Sequence, residues 1–275
     1  MAFYRKGRAM KAHVTVVAMV LLATGQGFAN VYFNDGATHN VTSFITQVYV
    51  DSDAPGMHTT VNLLDGGSIW KWWAYEDSRI DISGGSADRG LSAYDRTQVT
   101  MSAGQIWYLW AYGHSQTMIS GGTATGDLCA EDSSQLTLSG GSVEGYVVAG
   151  GNSIVIMTGG AVSGLLGAGG SSQVTILGGT ISQTLDMYQD AIVYLHGDQF
   201  AIDGIPLSSG AIRSVLGTSC DSEPFRRLTG TLASGDIVNN LFRIGDSAQL
   251  VLVPEPATLS LLALGGLAVL CRKRK

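Results

Sequence analysis

Apolar residues recur along this chain in a fixed frame. Leu64, Ile82, Met101, Ile119, Leu138, Met157, Ile176 and Leu195 stand 18 or 19 positions apart. Two residues before them, from Ile80 onward, runs a second column through Val99, Leu136 and Val193, broken only by Thr117. A third column runs from Trp72 through Leu91, Leu109, Leu128, Val147 and Leu166 to Leu185. Two residues after it stand Ala74, Ala93, Ala111, Ala130, Ala149 and Ala168, then Met187. A fifth column joins Ile69, Ala87, Ile106, Ala124, Val143, Val162, Ile181 and Phe200. Steps of two place side chains on one face of a strand, so each unit predicts about three short strands separated by turns. Its glycine and β-branched content argues against helix.

Most units also carry a glycine pair two residues after the Leu64-type position, as in Gly140-Gly141, with Ala103-Gly104 and Gly197-Asp198 as the exceptions. Glycine there permits a tight turn directly after a strand and a close approach of backbones. Shorter units lose their residue in one bend: Ile69 to Trp72 and Ile106 to Leu109 span three positions, against four from Val143 to Val147. Length variation confined to one bend fits coils whose core positions are stacked. The fold class predicted is all-β: a single-stranded parallel β-helix over 61–200, of about seven or eight coils of 18–19 residues. Its expected hand is right, the usual sense of parallel crossovers. A sandwich of hairpins is the alternative, and would make the column alignment a coincidence.

Around the array, residues 30–60 read as an N-terminal cap or irregular first coil, and 201–252 as a C-terminal β cap. Residues 1–29 read as a signal peptide: basic residues up to Lys11, an apolar run Val14 to Ala23, and a cut after Ala29. The tail 253–275 has an apolar run from Ala257 to Cys271, short for a membrane helix, stopped by Arg272, Lys273, Arg274 and Lys275.

Composition sharpens this picture in two ways. Glycine is 37 of 275 residues with only 5 prolines and no period of three, which excludes collagen. Half of the 16 basic residues lie in the two tails, so residues 30–253 hold 8 basic against 21 acidic residues, a formal charge of −13. Such a body repels nucleic acid and anionic lipid, so neither is an expected partner.

Val253-Pro254-Glu255-Pro256, the apolar helix and the basic terminus, in that order, resemble the PEP-CTERM sorting signal. The resemblance implies recognition by an exosortase-like membrane enzyme in a Gram-negative bacterium. It also implies transient inner-membrane anchoring, then delivery to the cell surface or matrix, in association with exopolysaccharide or biofilm. It describes sorting and leaves the activity of the body open.

Candidate chemistry in the body is sparse. Glu76 and Asp95 fall at one bend position of adjacent coils, where they suit either a Ca²⁺ or acid–base pair or a plain charged turn neutralised by Arg96. His39, His58, His114 and His196 are isolated, and no HExxH, GxSxG or phosphate loop is present. No catalytic residue, metal or cofactor is expected. Cys129 and Cys220 either pair after export or remain as thiols. Gln98, Gln116, Gln135 and Gln173 form an outward ladder, beside a hydroxyl column, Ser78 to Ser172, that reads as turn surface.

Aromatic residues are the distinctive surface feature. Tyr75, Tyr94 and Tyr112 share one outward offset on successive coils, with Trp73 and Trp110 two positions before the first and last. They suit stacking on sugar rings, burial in a protein partner, or stacking on one another to brace the coil. The expected function is a non-enzymatic surface or matrix protein, with neutral extracellular polysaccharide as the candidate ligand of this strip. A carbohydrate-active β-helix enzyme, lyase or hydrolase, and a protein-binding adhesin are the alternatives.

Overall fold

The computed structural model describes residues 30–51, 58–207, 213–216 and 225–254. The expected signal peptide with its cut at Ala29, Cys220, and the tail from Glu255 through the apolar run to Arg272, Lys273, Arg274 and Lys275 lie outside the described residues. The fold is an all-β, mostly parallel solenoid of about eight turns.

One coil shows how the sequence builds it. Leu128–Ala130, Gln135–Leu138 and Ser142–Val143 form three strands on three faces. Leu128 pairs in parallel with Leu109 on one side and Val147 on the other. Leu136 lies between Thr117 and Val155, and Val143 between Ala124 and Val162. Leu128, Ala130, Leu136, Leu138 and Val143 are all fully buried. Alternation within each strand thus becomes five continuous apolar columns along the axis.

Two kinds of turn close the coil, each fixed by backbone geometry. In the glycine pair, the second residue is left-handed: φ is 80° at Gly141. The first is needed for a different reason. A Cβ on Gly140 would lie 2.3 Å from the Ser120 carbonyl of the preceding coil. At the other bend Glu76, Asp95 and Asp132 take φ of 56–57°, a position filled by Gly113, Gly151 and Gly170 in other coils. Aspartate and glycine recur there because both tolerate the left-handed region, and Glu76 and Gln189 take the same conformation toward either end. Asp95 Oδ2 accepts the Glu76 N–H at 3.2 Å, so this candidate acidic pair is a stacked turn motif.

The hydroxyl column corrects the sequence reading. Ser78, Thr97, Ser115, Ser134, Ser153 and Ser172 are fully buried, and Thr59 and Ala191 extend the column at either end. Their polarity suggested surface, but the chain turns inward at this corner, and only a small side chain fits. Ser134 Oγ donates to the Ala111 carbonyl at 3.0 Å and Ser172 Oγ to that of Ala149 at 3.3 Å. Backbone carbonyls thus satisfy Ser134 and Ser172, and Ser78 and Thr97 pair with each other at 3.2 Å, whereas the Ser115 and Ser153 hydroxyls are buried with no hydrogen-bond partner among the described residues.

The flanking segments join the stack. Val31 pairs in parallel with Val48, and Val48 with Trp72, so residues 30–50 carry the first coils in irregular steps. At the other end, Arg226–Leu232 and Ile237–Ile244 form an antiparallel hairpin. The chain then resumes the solenoid: Leu185 pairs in parallel with Phe242, and Val193 with Leu250. Arg243 fastens this last coil, with Nη2 2.9 Å from Asp186 and its guanidinium 5.0 Å from the Tyr188 and Phe225 ring centres.

Candidate functional site

The tyrosine ladder forms as one offset per coil dictates. Tyr75 and Tyr94 stack at 5.0 Å between ring centres and 9° between planes, and Tyr94 and Tyr112 at 5.1 Å and 9°. All three are half-buried. Because the rings cover one another's faces, they present mainly edges and hydroxyls to solvent. Burial, then the neighbouring Tyr94, pushes the Tyr112 phenol up to about 12. Beyond Tyr112 the same position holds Glu131, whose carboxyl is raised by burial and by Asp132.

Trp73 belongs to a second ladder. It stacks on Tyr49 at 4.7 Å, and Tyr49 on Tyr32 at 4.8 Å. Lys71 Nζ lies 4.6 Å from the Trp73 ring centre. Tyr32 and Tyr49 escaped the sequence reading because the first coils step by irregular lengths. Trp110 is the exception among the candidates: it is 43% exposed and only tilts against Tyr112, at 54°.

The open aromatic faces lie at the neighbouring bend. Trp70 and Trp107 are 36% and 42% exposed, and each sits in a bend shortened by one residue. The full-length bend between them carries Asp88-Arg89-Gly90. With coils rising about 4.8 Å each, a residue in the middle coil falls between two rings. Arg89 does so, with its guanidinium 5.4 Å from the Trp70 ring centre and 5.3 Å from that of Trp107. Gly90 makes room beside it, since a Cβ there would lie 2.3 Å from the Tyr108 carbonyl. A cavity of about 360 Å³ opens here, lined by Ala87, Asp88, Arg89, Gln105, Trp107 and Thr125. No single sequence column contains these residues, so periodicity alone did not find them.

The remaining candidates are dispersed. Arg96 pairs with Asp77 at 2.6 Å and holds that carboxyl below its ordinary range. Among the described residues no three His, Cys, Asp or Glu side chains converge on a metal-sized site. Burial, then Asp127 and Glu131, pushes the Cys129 thiol up to about 11. Its possible partner Cys220 lies outside the described residues, as do Glu255 and Pro256. Among the described residues no helix is long and apolar enough to cross a membrane.

Val253 and Pro254 close the last strand, in register with His196 and Gly197. A family model for the PEP-CTERM protein-sorting motif matches residues 252–275, so the motif begins inside the final coil. No curated protein and no solved structure matches the chain. The chain is thus a β-solenoid carrying a sorting motif of exported surface proteins.

Proposed function

We propose that this exported solenoid is a non-enzymatic matrix protein that holds extracellular polysaccharide on its exposed tryptophans. One observation carries the reading: the exposed tryptophans Trp70, Trp107 and Trp110 lie close together, Trp70 and Trp107 on either side of Arg89 and Trp107 and Trp110 both against the Tyr108 ring. Indole faces match the apolar CH faces of sugar rings, and a rod presents them at a regular rise along a polymer. Tyr75, Tyr94, Tyr112 and Trp73 contribute edges and hydroxyls as the floor of this strip. A charge of −13 on the body favours neutral or sparsely charged chains over dense polyanions.

An exosortase-type enzyme is the proposed processing partner, with transient anchoring in the inner membrane by the tail. The enzymatic alternative draws on Glu76 and Asp95, and the use of the Asp95 carboxylate as acceptor for the Glu76 turn N–H weakens it.

A glycan array probed with the full chain tests the reading, with the same glycans assayed for new reducing ends and unsaturated products. Retention without product supports it. Product formation favours the lyase or hydrolase, and binding to protein with none to glycans favours the adhesin.

A further inference from the structure

Resting on the polysaccharide reading, we infer that the Trp70–Arg89–Trp107 clamp is a subsite for a carboxylated sugar, so that the ligand is a polysaccharide with sparse uronate-type groups. Arg89 is exposed and held between two rings. Among the Lys and Arg side chains described, only Lys71 and Arg89 have neither an ion pair nor a hydrogen bond to another described residue. Both lie in this aromatic patch, and both contact tryptophan rings. The other arginines are engaged: Arg79 with Gln98, Arg96 with Asp77, Arg226 with Asp203, Arg227 with Asn239 and Arg243 with Asp186.

A guanidinium lying between two rings, more than 5 Å from each centre, keeps its N–H fork free of partners among the described residues, and that fork matches a carboxylate in two parallel hydrogen bonds. The two rings flank the side chain and narrow its range of positions, which lowers the side-chain entropy lost when the carboxylate arrives. The cavity supplies the rest of a sugar's requirements. Trp107 offers an apolar wall, and the Gln105 amide and Thr125 hydroxyl offer hydrogen bonds. Asp88 accepts a hydrogen bond from Ser68 Oγ at 2.9 Å, which engages one of its oxygens with the coil below. The acidic body disfavours a dense polyanion, whereas one carboxylate on an otherwise neutral chain meets a local cation.

Isothermal titration of the full chain with a uronate-bearing oligosaccharide, and with its carboxyl-reduced counterpart, tests this. The two probes differ only in the carboxylate. The native chain is expected to bind the acidic form about tenfold more tightly. Arg89→Gln should bring both forms to the same weak affinity with an unchanged circular dichroism spectrum, and Arg89→Lys should restore only part of the difference. Equal binding of both forms by the native chain, or a difference that survives in Arg89→Gln, overturns the subsite and leaves the polysaccharide reading standing. Loss of binding to every glycan overturns both.

Discussion

Asp132 Oδ2 accepts a hydrogen bond from the Gly113 N–H at 3.0 Å, and the two residues occupy the same bend position in successive coils. Both are left-handed, with φ of 56° and 66°. The carboxylate of one coil therefore satisfies a turn amide of the coil below, and the motif repeats between Asp95 and Glu76 and between Asp246 and Gln189.

Replacing Asp132 separates its two contributions. Asp132→Ala loses the hydrogen bond and strains the left-handed turn, for an expected cost of about 1–2 kcal/mol. Asp132→Gly loses the bond alone and should cost less. Urea titration of both variants checks the order, and a larger loss for glycine would contradict this account of the turn.

The alanine column limits core volume. Ala130 is fully buried between Ala111 and Ala149 on adjacent coils. Ala130→Leu should destabilise by about 1–3 kcal/mol through overpacking. Gln135→Ala, on the exposed ladder, should stay within about 0.5 kcal/mol. Equal small losses in denaturant titration would contradict the inward placement.

Much of the solenoid was legible because its period was regular. Leu136 and Leu138, two apart in every coil, announce an inward strand, and Gly141 announces its turn. Legibility failed where the period broke or residue type misled. Phe242 follows Leu185 directly in the column, one coil on, but the hairpin inserted between them stretches that step to 57 residues and hid the register. Ser115 is polar yet fully buried, because the backbone corner, and not the side chain's polarity, decides its direction. The Arg89 clamp depends on bend lengths: two short bends put Trp70 and Trp107 on either side of a longer one.

Acid should loosen the C-terminal hairpin before the middle coils. The Gly179 N–H, then Ser234, hold the Asp236 carboxyl below its ordinary value of 3.8, and the Arg227 N–H, then Arg226, do the same for Asp203. A carboxyl with depressed folded pKa contributes stability above its unfolded pKa and loses it as pH falls through the folded one. Hydrogen exchange of residues 226–244 should therefore lose protection relative to residues 128–143 between about pH 4 and pH 2. Uniform loss across both segments would contradict the assignment.

Sorting should leave the last coil intact. Val253 and Pro254 are strand residues paired with His196 and Gly197, so a cut before Pro254 would remove part of that ladder. Mass spectrometry of the exported protein in a host with the matching machinery should find a chain that retains Pro254 and lacks Arg272 to Lys275. Products ending before Gln249 would contradict the role of this strand.

The central claim is that exposed tryptophans hold polysaccharide while stacked tyrosines brace the rod. Affinity electrophoresis in gels containing polysaccharide compares the native chain with a Trp107→Ala/Trp110→Ala double variant and with Tyr94→Ala. Tyr94 stacks on two rings, so its loss should cost about 1–3 kcal/mol of stability and leave most of the retardation. The tryptophan variant should keep its stability within about 1 kcal/mol and migrate in the polysaccharide gel as it does in a plain one. Retardation equal to that of the native chain in the tryptophan variant would contradict the claim.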